Sequence, residues 1–229
     1  MINRANFYFR AGTCDENVFR SVVGLNEYQL PDALPADKLI LDIGAHIGSF
    51  TQACLERGAR RIVACEPEPE NYQRCRKHLA EAIKNGFVTV LPVAVVAQAP
   101  PAGLLWLSDY EVMPHEINTG AASHFATTTK KARQLVPVIE LQGLMDLLTE
   151  GSQFREVAWL KLDCEGAEWN ILATLRLAEV QNICGEYHPL AGFTPEALQV
   201  WLEERGFNTR RQPYGDSGLG LFWGKKSSQ

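Results

Sequence analysis

From residue 38 onward, short apolar runs alternate with segments of helical periodicity, and most of the runs end on an acidic residue. Lys38–Ile43 (KLILDI) carries Asp42 near its end, and Arg61–Cys65 (RIVAC) is followed by Glu66. Ala158–Leu162 (AWLKL) is followed by Asp163, and a run opening at Asn182–Cys184 reaches Glu186 and His188. Val88–Val95 is a further run without such an acid. Between the runs, Phe50, Cys54 and Leu55 share one helical face, with Gly58 placed to end that helix. Tyr72, Cys75, Leu79 and Ile83 recur at spacings of three and four, which predicts a helix over 71–85. Continuously apolar strands suit a sheet covered on both faces, and strands alternating with helices make that sheet parallel. Near the end, Thr194 is a suitable N-cap with Pro195 at the first helical position, and Leu198, Trp201 and Leu202 face inward. Phe207–Pro213 and Leu219–Gly224 flank a turn-rich YGDSG, which predicts a C-terminal antiparallel hairpin.

The expected organisation is a single domain over 1–229, with an N-terminal lead-in segment (1–36) and an insertion at 96–157. Within the insertion, Leu104–Ser108 and Leu135–Leu141 read as paired strands. Asp109–Gln134 reads as a long substrate-side loop. Composition narrows the function class. With 22 basic and 27 acidic side chains the net charge is −5, which argues against a nucleic-acid partner held by a broad basic face. No apolar run approaches the roughly 20 residues of a membrane span. The first residues, MINRANFYFRAG, lack a signal-like apolar core, so a cytoplasmic location is expected. The six cysteines form no C-x-x-C pair; Cys65 and Cys184 sit in strong apolar runs and read as small buried side chains in a reducing compartment, with a disulfide pair as the alternative.

Four constellations carry chemistry. The first is Asp42-Ile43-Gly44-Ala45-His46-Ile47-Gly48, at the turn from the first strand to the first helix. Gly44 permits a positive φ. Gly48 permits close backbone approach or helix packing, and the exposed amides favour an anionic ligand group. A dinucleotide fingerprint would need glycine where this chain has His46. The second is Glu66, 24 residues after Asp42, placed to accept hydrogen bonds from ribose hydroxyls. The third is Lys161-Leu162-Asp163-Cys164-Glu165-Gly166-Ala167-Glu168, with three carboxylates within six residues at a strand end. The fourth is Glu186-Tyr187-His188-Pro189, where strand alternation puts Glu186 and His188 on one side. All four follow strands directly, and ligands bind beyond the carboxyl ends of the strands in an open parallel sheet.

On these residues the chain resembles the FkbM-type methyltransferases, which use S-adenosylmethionine. LDIGAHIGSFT (41–51) with CEPEPENY (65–72) resembles the family's glycine loop and ribose acid. LKLDCEGAEWNIL (160–172) resembles its K-x-D-x-E-G-x-E motif, and GEYHP (185–189) its E-x-H strand end. FRAGTCDENVFRSVVGLNEYQLP (9–31) resembles the family's N-terminal segment. One departure is His46, where the family usually carries Asn. The resemblance implies a Rossmann-like class I methyltransferase fold and O-methylation of a hydroxyl on a small molecule or sugar. It implies a cofactor site at Asp42, Gly44, Ala45, His46, Gly48, Glu66 and Asp163. Asp42 would hold the methionine amino group, and Gly44 and Gly48 would wrap the methionine moiety. The catalytic candidates are Asp163, His188 and Glu186, with the base expected at His188 or Asp163 and Glu186 orienting His188. A divalent metal on the acidic cluster is a secondary option and is not expected. N-methylation, or cofactor binding without turnover, is the alternative on this fold. A nicotinamide oxidoreductase is further off, because the glycine spacing is missing.

Overall fold

A computed structural model of the chain describes residues 7–108, 111–112, 114–120, 132–150, 156–188 and 192–227. The chain opens with a short helix α1 (Asp15–Phe19) that continues as a π-turn over Arg20–Gly24. There follow β1 (Leu39–Ile43), α2 (Ser49–Glu56), β2 (Ile62–Cys65), α3 (Pro69–His78), α4 (Ala80–Lys84) and β3 (Val88–Leu91). Next come β4 (Ala94–Val96), β5 (Leu104–Ser108), β6 (Glu111–Val112), β7 (Ile117–Asn118), β8 (Ala132–Glu140) and α5 (Leu141–Thr149). The second half consists of β9 (Val157–Leu162), α6 (Glu168–Thr174), β10 (Asn182–Tyr187), α7 (Pro195–Glu203), β11 (Phe207–Pro213) and β12 (Gly220–Lys226).

The main sheet has seven strands in the order β3-β2-β1-β9-β10-β12-β11. Only β12 runs antiparallel to its neighbours β10 and β11. This is the mostly parallel sheet with a C-terminal antiparallel pair that the strand pattern predicts. All five residues of β1 and all four of β2 are buried, as two-sided cover requires. One face packs on α5, α6 and α7 through Leu144, Ile171, Leu172, Leu198 and Leu202. The other packs on α2, α3 and the lead-in segment through Phe50, Cys54, Cys75, Tyr28 and Leu34. The chain leaves β1 toward β2 and β3, then returns to place β9 and β10 on the other side. A crevice therefore opens between the carboxyl ends of β1 and β9, the position where such sheets take ligands. All six cysteines are free, and five of them are buried.

Several local expectations change in detail. The helix foreseen over 71–85 starts at Pro69, capped by the Glu68 carboxylate, and breaks at Leu79 into two pieces. The Val88–Val95 run is two strands in two sheets. Pro92, which lacks an N–H, separates β3 from β4, and β4 joins a three-stranded sheet with β8 and β5. Leu104–Ser108 does pair antiparallel with β8. The Leu135 strand stops one residue early, at Glu140, and Leu141 opens α5, whose Leu141, Leu144 and Met145 are buried at helical spacing. Residues 109–110, 113 and 121–131 of the foreseen substrate-side loop lie outside the described residues. Residues 111–112 and 117–118 form a small antiparallel pair.

Gly185 in β10 sits where a side chain has no room. A Cβ there would meet the Leu162 carbonyl across the ladder and stand 2.9 Å from the Phe222 ring. Gly185→Ala is expected to lower stability by about 1–3 kcal/mol, the usual cost of overpacking. A denaturant melt would show it as a fall in midpoint at unchanged slope.

Candidate active site

A cavity of about 610 Å³ occupies the crevice and is lined by Gly44, Ala45, His46, Glu66, Asp163, Glu186 and His188 from the four strand ends. Seven of the nine sequence-derived site residues therefore reach one space. The other two, Asp42 and Gly48, do not line it. Asp42 is fully buried beneath the cavity floor, where its carboxylate accepts from the Thr51 hydroxyl at 2.7 Å and pairs with Lys161 at 3.4 Å. Gly48 faces helix α3, and a Cβ there would crowd Leu79 at 3.0 Å and the Cys75 sulfur at 3.1 Å. Its glycine serves helix packing and the φ of +93° at the N-cap of α2. Gly44 has φ +79°, and its bare Cα lets the loop after β1 cross the loop after β9 against the Asp163 carbonyl.

Lys161 organises the floor. The side chain is 4% exposed and its ammonium lies 3.4 Å from both Asp42 and Asp163. It also donates to the carbonyls of Ile43 and Gly44. Burial disfavours the charge, but the two carboxylates outweigh it and raise the Lys161 pKa above its ordinary value. Burial likewise pushes the Asp163 carboxyl up. The Lys161 and His188 cations and a 3.1 Å hydrogen bond from the Tyr28 hydroxyl overcome this and hold Asp163 below the usual carboxylate range.

Glu66 fixes the glycine loop to the end of β2. Its carboxylate accepts from the backbone N–H of His46 at 2.7 Å and of Glu68 at 2.9 Å. Burial nevertheless pushes its pKa up to about 7. His46 adopts a left-handed φ of +52°, a conformation that Asn tolerates better than most residues. Its ring contacts the Thr119 hydroxyl at 2.8 Å, and burial pushes its pKa down to about 4, so it is neutral.

The turn after β9 is strained. Glu165 has φ +57° and Gly166 φ +104°. Glu168 closes that turn, accepting from the backbone N–H of Cys164 at 2.6 Å and of Gly166 at 3.0 Å. His188 lies between two carboxylates, with Nε2 3.3 Å from Glu165 and Nδ1 3.3 Å from Glu168. Burial opposes its charge, but the two flanking carboxylates prevail and lift its pKa to about 12. The flanking carboxylates thus favour the protonated ring. Glu186, facing the same space, is pushed up to about 8 by burial and by the Asp163 charge. Its carboxylate, that of Asp163 and a His188 ring nitrogen lie within 4.8 Å of one another.

The structure adds cavity residues that sequence reasoning missed. Glu27 and Tyr28 come from the lead-in segment, and burial and the Asp163 charge raise Glu27 to about 7. That stretch lacks apolar periodicity, and the resemblance of 9–31 to the family's N-terminal segment singles out neither residue. Ser49, the first residue of α2, lines the cavity 3% exposed with an unpartnered Oγ, and the Nδ1 of His46 is likewise buried without a partner. Over the glycine loop, Arg10 pairs with Asp15 at 2.8 Å and donates to Asn71 at 2.7 Å, while the Thr119 hydroxyl donates to Asp15 at 2.9 Å. These contacts fasten the lead-in segment and β7 across the cavity. Arg10 and Asn71, and Asp15 and Thr119, are too far apart in sequence for any spacing rule to pair them.

Replacing Lys161 with Met would leave Asp42 and Asp163 buried without their cation. The expected loss is about 3–5 kcal/mol, the cost of breaking a buried pair from one side. Thermal or chemical unfolding would measure it, and Lys161→Met combined with Asp42→Asn should recover part of the loss.

Among solved structures, the precorrin-6y C5,15-methyltransferase of Geobacter metallireducens is 14% identical, with 99% of this chain and 95% of that one covered and a TM-score of 0.47. TrmK of M. capricolum, solved with S-adenosyl-homocysteine, is 10% identical over 83% of this chain and 62% of that one, with a TM-score of 0.45. The FkbM methyltransferase of Methylobacillus flagellatus is 12% identical over 89% of this chain, with a TM-score of 0.49. This chain spans 47% of that protein's length. No curated protein matches the chain. The family model of the methyltransferase FkbM domain matches residues 42–209, from the acid of β1 to the middle of β11. Both the glycine loop and the K-x-D-x-E-G-x-E segment fall inside that match, and the chain belongs to the FkbM methyltransferase family.

Proposed function

We propose that this protein is an S-adenosylmethionine-dependent O-methyltransferase acting on a hydroxyl of a small molecule or sugar. We place it in the cytoplasm as one domain over 1–229, without a nucleic-acid or membrane partner. Among the described residues no helix is long and apolar enough to cross a membrane. One observation carries the reading. The glycine loop, Glu66 and the acidic ends of β9 and β10 open on a single cavity at the crevice between β1 and β9. The unpartnered Ser49 Oγ and His46 Nδ1 in its wall fit a ligand with several polar groups on that side.

In this reading Glu66 accepts from the ribose hydroxyls, and Gly44, Ala45, His46 and Ser49 border the methionine end. Asp42 acts one step back: it holds Lys161, which holds Asp163. S-adenosylmethionine supplies a methyl group on a cationic sulfur, already a strong electrophile. What remains for the protein is to align the acceptor hydroxyl and take its proton, largely a positioning task.

The position of His188 between Glu165 and Glu168 favours a base other than His188. Two carboxylates beside the ring stabilise its protonated form, which makes it a poor proton acceptor. We assign the proton to a carboxylate oxygen of Glu186, whose raised pKa lies near working pH, as a general base requires. Asp163, ionised and fixed by Lys161 and Tyr28, orients the acceptor. His188 steadies the charge that the carboxylates share. The reading needs no metal.

Calorimetric titration tests the cofactor assignment. S-adenosylmethionine should bind the purified chain at micromolar concentration, and NAD⁺ should not. Glu66→Gln should weaken binding about tenfold, or about 1.4 kcal/mol. Binding of NAD⁺ alone would overturn the cofactor assignment. A screen of hydroxylated acceptors by mass spectrometry then supplies a substrate for the base assignment. With EDTA present, kcat/KM should rise with pH as Glu186 loses its proton near pH 8. Glu186→Gln should lower turnover by roughly 10²–10⁴-fold and abolish that rise. A rise that survives in Glu186→Gln would place the base elsewhere.

A further inference from the structure

The cavity at the strand carboxyl ends uses only part of one sheet face. Cross-strand partners share a face, so the register identifies what lies farther along it. Asp42 pairs with Lys161, and Ile40 with Trp159 one step toward the amino ends. Cys184 pairs with Trp223 and Asn182 with Lys225. Arg210 pairs with Trp223, and Asn208 with Lys225. Toward the amino ends of β9 and β10 this face therefore presents Trp159, Asn182, Trp223, Lys225, Asn208 and Arg210. All six border a second cavity, of about 470 Å³, within the usual size of a small-ligand site.

Its chemistry is specific. Trp159 and Trp223 lie on either side of β10 and offer flat apolar surface. Lys225 and Arg210 are exposed, and neither has an acidic partner among the described residues. The one acid in the wall, Glu156, is taken by Lys38 at 3.5 Å. Aromatic walls with free cations at the rim complement a ring that bears a negative charge.

The two cavities share a partition. Residues 26–31 cross the sheet face between them: Glu27 and Tyr28 line the first cavity, and Gln29 and Pro31 line the second. This strap is stiff. Asn26 and Gln29 both hold left-handed φ values, +54° and +53°, and the Asn26 side chain bonds both the N–H and the carbonyl of Leu30. Each side of it is anchored to one cavity. Tyr28 donates to Asp163 at 3.1 Å, and the indole of Trp223 donates to the Glu27 carbonyl at 3.1 Å.

We propose that this second cavity binds a small planar anion, an aromatic or heteroaromatic ring carrying a carboxylate or similar charge, and that its occupancy reaches the first cavity through the 26–31 strap. The ring lies against Trp159 and Trp223, and the charge meets Arg210 and Lys225. A ligand that shifts Trp223 moves the Glu27 carbonyl, and with it the two residues that face Asp163.

2-Naphthoate serves as the probe, with 2-naphthol and acetate as the uncharged and ringless controls. Titration calorimetry on the full chain should give one saturable site for naphthoate and at least tenfold weaker binding for either control. Arg210→Glu with Lys225→Glu should weaken naphthoate at least tenfold while the melting temperature stays within a few degrees. Should that pair disturb folding, Arg210→Ala with Lys225→Ala gives the same comparison without reversed charge. Naphthoate binding should persist when S-adenosylhomocysteine saturates the first cavity, and the two affinities should change by the same factor, at least threefold. No saturable binding, binding indifferent to the charge substitutions, or one-for-one displacement by S-adenosylhomocysteine would overturn the site. Independent binding of the two ligands would overturn the strap's role. The linkage arm rests on the proposed cofactor reading, whereas the naphthoate titrations do not. A chain that ignores S-adenosylhomocysteine but binds naphthoate at Arg210 and Lys225 would refute the former alone.

Discussion

The site depends on one buried ammonium. Lys161 leaves the middle of the sheet at the point where β1 and β9 part, and it pairs with Asp42 on β1 and with Asp163 just past β9. Without it, Asp42 and Asp163 would bring two charges into a space with little water to screen them. With it, the loop after β1 and the loop after β9 are drawn together, and Gly44 meets the Asp163 carbonyl at a distance only glycine allows. The crevice has its shape because that junction is closed by charge as well as by backbone.

Around that junction, acidic groups take different states according to their partners. Asp163 stays ionised beside Lys161 and the Tyr28 hydroxyl. Glu186 and Glu27 face Asp163 with burial also against them, and their pKa values rise. His188 holds its proton between Glu165 and Glu168. The shifts separate a carboxylate held ionised from others whose pKa values lie near or above neutrality.

The cover over the glycine loop comes from distant parts of the chain. Asp15 and Thr119 meet 104 residues apart, and Tyr28 reaches Asp163 across 135. Their polar groups are satisfied by each other and by the glycine loop, so the cover and the loop stabilise one another. His46 belongs to this arrangement. A left-handed position that suits Asn is held here by a ring that the cover buries and bonds.

The parallel strands and the shared edge of Glu66, Asp163, Glu186 and His188 were legible from the chain alone, because two-sided burial writes a parallel strand as a continuous apolar run that stops at the strand's carboxyl end. Thr194 and Pro195 marked α7 for the same local reason, since capping is settled within four residues. Three things belonged to the tertiary structure alone. Asp42 and Gly48, in the same motif as Gly44, turn away from the cavity, because the loop's path was set by packing against α3 and by the Lys161 pair. The protonation of His188 rests on Glu165 and Glu168, which reach it only through the strained turn at 165–166. Glu27 and Tyr28 enter the site because an irregular segment happens to cross the sheet face there. Periodicity and capping are short-range and can be read along a chain. Electrostatic state depends on which charges lie within a few ångströms in space, and only the folded arrangement decides that.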